Sequence, residues 1–183
     1  MLSLEFLTAF KASTEQKWSR HSILPGVWGF RIQHDTRWIA GLSDDKINEY
    51  ERTLGLRFPN DFRAFLRFVN GTDLPTLNVY GSSGEPERES VGVYSYPRDL
   101  EFVQDRIENL RDNRDEIATD LRSQGFELPA EAGFVPIYSH RYLVCASDPG
   151  SSVVLSVVTH SVDAIVYGNS LREYLEREFL RDL

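Results

Sequence analysis

Residues Leu42–Asp73, LSDDKINEYERTLGLRFPNDFRAFLRFVNGTD, predict two short helices joined by a tight corner. Ser43 suits an N-cap, because its hydroxyl can accept from an otherwise unpaired amide of the first turn. Asp44 and Asp45 follow at the positive end of the helix dipole, and Leu42 is placed to staple onto Ile47. Ile47, Tyr50 and Leu54 share one helical face, and Gly55 offers the left-handed residue that ends it. Pro59, with no amide to leave unpaired and a pre-set φ, opens the second helix. Phe62, Phe65, Leu66 and Val69 then fall at i, i+3, i+4 and i+7, an apolar stripe that Asn70-Gly71 stops. Both helices are half-buried on this reading, and Arg52, Arg57, Arg63 and Arg67 are left for solvent.

Composition sets the frame around this pair. A chain of 183 residues, 41% hydrophobic and 26% charged, is ordinary for one soluble globular domain. Its net charge of −8 comes from 28 acidic against 20 basic residues. Such a chain repels phosphate backbones, so direct nucleic-acid binding is disfavoured and a basic protein partner favoured. The lone Cys145 excludes an internal disulfide and fits a reducing compartment. The N-terminal run carries Glu5 and lacks a basic start, so it does not read as a signal peptide. No run approaches the roughly 18 apolar residues of a membrane span. The expected location is the cytoplasm.

Upstream, Leu4, Leu7 and Phe10 predict an amphipathic helix from Leu2 to about Trp18. An ordered segment anchored by Trp18, Trp28 and Trp38 follows, so residues 1–41 are expected to pack on a domain formed by 42–183. Downstream, Asn78 to Tyr80 predicts a short strand, the Gly- and Glu-rich stretch Gly81–Ser90 a surface loop, and Val91 to Tyr96 a return to the sheet. Pro97 opens a helical stripe through Leu100, Val103, Ile107, Leu110, Ile117 and Leu121, either unbroken to Ser123 or broken near Asp112-Asn113. Four β-rich runs follow: Phe134–Ser139, Tyr142–Ala146, Val153–Val158 and Ala164–Tyr167. The continuous Val153-Val154-Leu155-Ser156-Val157-Val158 suggests a strand covered on both faces. A capping box, Ser170 with Glu173, begins the last helix. Hairpin spacings without βαβ alternation give an α+β domain with a mostly antiparallel sheet.

The corner itself resembles a known signature. Ile47, Glu51, Leu54-Gly55, Phe58-Pro59, Phe62, Phe65-Leu66 and Asn70-Gly71 match an LG-x-x-[LF]-P corner and an aromatic helix ending in FL-x-x-x-NG. This is similar to the SUKH superfamily, that of the yeast cell-wall-assembly regulators and many bacterial immunity proteins. Phe58 stands where Leu is commoner, and Thr72 where a second Gly is frequent; the likeness runs from about Trp38 to the end. The resemblance implies a non-catalytic immunity protein that binds and neutralises a cognate bacterial toxin, a nuclease being one candidate. The alternative it implies is a regulatory scaffold with an endogenous partner.

The residues alone carry no recognisable catalytic constellation. There is no nucleophile elbow, no H-E-x-x-H, no P-loop and no dinucleotide fingerprint, and His21, His34, His140 and His160 are scattered singly. No cofactor and no metal are expected. His140 and Arg141 are the candidates for an anion pocket, against a structural reading as a turn residue and a paired cation. Cys145 reads as a small core residue. For a basic partner, the candidate surface is an acidic loop with Asp73, Glu85, Glu87 and Glu89, and a carboxylate face around Asp105, Glu108 and Asp112. Tyr80, Tyr94 and Tyr96 are the candidate aromatic anchors.

Overall fold

The structure, a computed structural model, describes residues 2–20, 29–79, 86–158 and 163–181. Its first half runs α1 (Leu4–Trp18), β1 (Gly29–Arg31), β2 (Trp38–Ala40), α2 (Asp44–Leu54), α3 (Asn60–Phe68), β3 (Val69–Thr72), β4 (Thr76–Val79) and β5 (Pro86–Ser90). The second half runs α4 (Leu100–Asp112), α5 (Arg114–Ser123), β6 (Gly133–Tyr138), β7 (Arg141–Cys145), β8 (Val154–Val158), β9 (Asp163–Gly168) and α6 (Leu171–Leu175). A π-helical turn, Glu176–Leu180, continues α6. The fold is α+β with antiparallel sheets.

The core is the four-stranded sheet β6-β7-β8-β9, every neighbouring pair antiparallel. Because strand side chains alternate, each strand feeds two cores. Val135, Ile137, Leu143, Cys145 and Val154 face one side, against Phe62, Phe65, Leu66, Leu171 and Leu175 of the helices. Phe134, Tyr142, Val144, Leu155 and Val157 face the other, against Leu110, Ile117 and Leu121 of α4 and α5. The β8 run is therefore covered on both faces, as its unbroken apolar sequence predicts. Burying each such side chain is worth about 1.5–3 kcal/mol, so the two cores hold the sheet between helical layers.

The α2–α3 corner forms as its sequence dictates. The Ser43 hydroxyl accepts from the Lys46 amide, and Gly55 ends α2 with φ +65°. Ile47, Tyr50, Phe62 and Phe65 are buried. Three details differ from expectation. Pro59 is the N-cap of α3 rather than its first residue. Val69 leaves the helix and begins β3, because a β-branched residue facing Ala40 gains a ladder partner there. Arg63 is not a solvent arginine; its guanidinium pairs with the Glu51 carboxylate and donates to Asn48 Oδ1 at 2.9 Å.

Asn70-Gly71 does more than stop a helix. Asn70 Nδ2 donates to the Tyr96 carbonyl at 2.7 Å, and its Oδ1 accepts the Tyr96 amide at 3.0 Å. Gly71 has φ +75°, and a Cβ there would meet the Val93 carbonyl at 2.6 Å. The segment so held lies between the two-stranded sheet β2-β3 and the four-stranded sheet: the Thr72 amide donates to the Val93 carbonyl, and the Tyr94 amide to the Ile137 carbonyl of β6. An isolated antiparallel bridge, Val93 to Tyr138, ties this segment to the end of β6.

α1 is fixed by the ring of aromatics Phe10, Trp38, Phe65 and Phe179, with the Trp18 ring tilted against Trp38 at 5.3 Å. Trp28 lies outside the described residues. Of the expected loop 81–90, Pro86–Ser90 is a strand paired with β4, while 80–85 fall outside the described residues. The helical stripe after Pro97 starts only at Leu100 and breaks at Asn113 into α4 and α5. Among the described residues no helix is long and apolar enough to cross a membrane.

Candidate partner-binding surface

The family-like corner is built to hold the fold. Both Glu51 oxygens are engaged, one by the Phe58 amide at 2.6 Å and one by Arg63. Asp61 Oδ1 accepts the Leu2 amide at 2.7 Å, and Asp61 Oδ2 the Ser152 hydroxyl at 3.3 Å. These polar residues stand in for missing backbone partners, which gives Glu51 and Asp61 an architectural role at the corner.

The tyrosine anchors expected for a partner do not stand on the surface. Tyr94 and Tyr96 are buried, at 9% and 5% exposure, which corrects their reading as accessible anchors. The Tyr96 ring stacks on Tyr50 at 4.4 Å, and its hydroxyl donates to Glu49 Oε1 at 2.6 Å. That bond to a carboxylate raises the Tyr96 pKa, and burial raises that of Tyr94. Tyr80 and Glu85 lie outside the described residues; Glu87 and Glu89 fall on β5. Asp73 is exposed, but its Oδ1 already accepts the amides of Arg37 and Leu74 at 2.7 and 2.8 Å.

His140 and Arg141 form the end of the β6–β7 hairpin, after Ser139 in a left-handed conformation at φ +52°. Arg141 is committed: Nε lies 3.2 Å from Glu178 Oε2, and Nη1 donates to Ser156 Oγ at 2.9 Å. Its guanidinium also stacks 3.9 Å from the Tyr167 ring centroid. The ion pair, the hydroxyl and the ring engage Nε, Nη1 and one face of the guanidinium, which ties Arg141 into the fold. His140 is pushed down to about 4 by burial first, then by Arg141 and Arg106, and is neutral at pH 7. Burial also pushes the Cys145 thiol up, which keeps it a protonated core residue.

The carboxylates on α4 are different. Asp105, Glu108 and Asp112 are exposed, together with Glu101. Among the described residues none of the four has an ion pair or hydrogen-bond partner. Against them the helix carries only Arg106 and Arg111. On the same surface stands Phe102, 57% exposed, one turn from Asp105. The opposite face, Val103, Ile107 and Leu110, is buried, which fixes the outward direction of these groups. Sequence reasoning found the carboxylates and missed the phenylalanine. The signal was present: Phe102 is a large aromatic one residue off the Leu100, Val103, Ile107, Leu110 stripe.

Among the described residues no group of three His, Cys, Asp or Glu side chains is arranged to hold a metal ion. In comparison with known proteins, the SMI1 / KNR4 family (SUKH-1) matches residues 41–177. No curated protein matches the chain.

Proposed function

The chain belongs to the SMI1 / KNR4 family (SUKH-1), and from that premise we propose that it is a non-catalytic immunity protein. On this reading it works by binding: it occupies a cognate bacterial toxin domain and blocks it. The observation that carries the proposal is the outward face of α4, where an exposed Phe102 stands among four carboxylates without ion pairs.

An exposed aromatic on a helix with a carboxylate face has a clear physical use. The charges attract a basic surface over a long range and raise the association rate, while the ring supplies the desolvated contact that slows release. A toxin that handles nucleic acid presents such a basic surface, because it must attract phosphates. The inhibitor's carboxylates then take positions meant for phosphate, and no chemistry is required of it.

Affinity capture tests this. The tagged chain, incubated with lysate of its own source, retains a protein with a basic surface, identified by mass spectrometry. Phe102→Ala and the double reversal Asp105→Lys/Glu108→Lys lose it. Undiminished capture by both variants contradicts the proposed surface, and toxin activity unchanged by excess protein contradicts the immunity role.

A further inference from the structure

A second feature of the corner is independent of the toxin reading. A cleft of about 360 Å³ opens between the α2–α3 corner and the turn from β7 to β8. Asn48, Glu51, Arg57 and Arg63 line it from the corner side, and Ser147 and Pro149 from the turn. The two sides are tied together by the Asn60 amide, which donates to the Pro149 carbonyl at 2.8 Å.

The inventory of donors and acceptors in this cleft is one-sided. The Glu51 acceptors are engaged by Phe58 and Arg63, and Asn48 Oδ1 by Arg63 Nη2. Ser147 has turned its hydroxyl to Glu131 at 3.0 Å. What remains uncommitted among the described residues is the Arg57 guanidinium, which is exposed and has no carboxylate within ion-pair distance, with the Asn60 side-chain amide and Asn48 Nδ2. Of the charged groups that line the cleft, Arg63 pairs with Glu51 and has Asp44 at 3.7 Å, so among the described residues Arg57 is the lining cation without a carboxylate within ion-pair distance. Buried Phe58 and the ring of Pro149 supply apolar contact.

We propose that this cleft binds a carboxylate, seated on the Arg57 guanidinium with its carbon chain against Phe58 and Pro149. A planar guanidinium fork accepts a carboxylate through two parallel hydrogen bonds. One uncommitted guanidinium on a chain of net −8 suits a monoanion better than a phosphate dianion, which the surrounding negative field repels. The carboxylate comes either from an aspartate or glutamate side chain of a bound protein or from a free small acid.

Titration of the full-length ¹⁵N-labelled protein separates these outcomes. N-acetylglutamate methylamide mimics a protein side chain, its glutamine counterpart is the neutral control, and butyrate, a monoanion, represents free acids. The expected result is saturable shifting of the Arg57 Nε and the Phe58, Asn60 and Ser147 amides by the glutamate mimic. The glutamine analogue leaves them in place, and Arg57→Ala weakens the response about tenfold or more, the loss of one charge-assisted contact. Butyrate binding more tightly than the mimic assigns the site to free acids; the reverse assigns it to a protein side chain. Equal shifts with the glutamine analogue, or an undiminished response in Arg57→Ala, overturn the proposal. Because no toxin enters the experiment, its failure leaves the immunity reading where it stood.

Discussion

Glu51 and Phe58 are bonded across the α2–α3 corner, the Glu51 Oε1 accepting the Phe58 amide at 2.6 Å. The bond replaces a helical partner that Phe58 cannot have, since α2 ends at Gly55 and α3 starts after Pro59. The same carboxylate holds Arg63, so one side chain fixes the corner from two directions. Glu51→Ala leaves the amide and the guanidinium without that acceptor, and is expected to lose about 2–3 kcal/mol. Glu51→Gln keeps an acceptor for Phe58 and should lose about half as much. Urea unfolding of both variants checks the order; an alanine variant within about 0.5 kcal/mol of the parent removes this account of the corner.

Phe65 links the helix pair to α1 and to the last turn. It is 1% exposed and packs edge-on to Trp38 at 5.8 Å and to Phe10 at 6.5 Å. Phe65→Ala opens a cavity among rings that cannot all collapse into it, and should cost about 3–5 kcal/mol. Thermal or denaturant unfolding measures this directly.

His140 gives a pH signature. Its pKa in the folded chain, lowered to about 4, lies below the ordinary value of 6.5. Between these values the unfolded chain takes up a proton that the folded chain refuses. The stability contributed by neutral His140 is therefore present above about pH 6.5 and lost as pH falls toward 4. His140→Gln removes that slope without removing a hydrogen-bonding side chain. From pH 7 to pH 4.5 the parent should lose about 1–2 kcal/mol more than the variant, the carboxylates common to both cancelling. The variant should also keep any protective function. Parallel stability curves for the two proteins contradict the assignment.

The helix pair was legible because its signals are local: a cap at Ser43, a left-handed stop at Gly55 and apolar residues at helical spacing are all within a few positions of one another. The four strands were legible because Val, Ile and Tyr runs lie between strong turn signals. Val69 was not, because its helical spacing is satisfied by sequence while its ladder partner, Ala40, lies in a distant strand. Tyr94 and Tyr96 read as surface anchors beside an acidic loop; their burial depends on Asn70, Tyr50 and Glu49, which only folding brings to them. Arg141 likewise owes its role to Glu178 and Ser156, neither adjacent in sequence. Long-range partners decide which polar groups remain free, and so decide where a surface can bind.

Phe102 is expected to be neutral for folding and costly for binding. With 57% exposure, its truncation to alanine should change stability by no more than about 0.5 kcal/mol. A large loss of stability in that variant means the ring supports the fold, and the anchor role falls.

The central claim is that an acidic face on α4 steers and holds a basic protein partner. The most direct measurement is the association rate with the captured partner across a salt series, for the parent and for Asp105→Lys/Glu108→Lys/Asp112→Lys. The account predicts a parental rate that falls steeply with ionic strength, and a variant that associates at least about tenfold more slowly at low salt. A parental rate insensitive to salt, or a reversed variant that associates as fast as the parent, contradicts it.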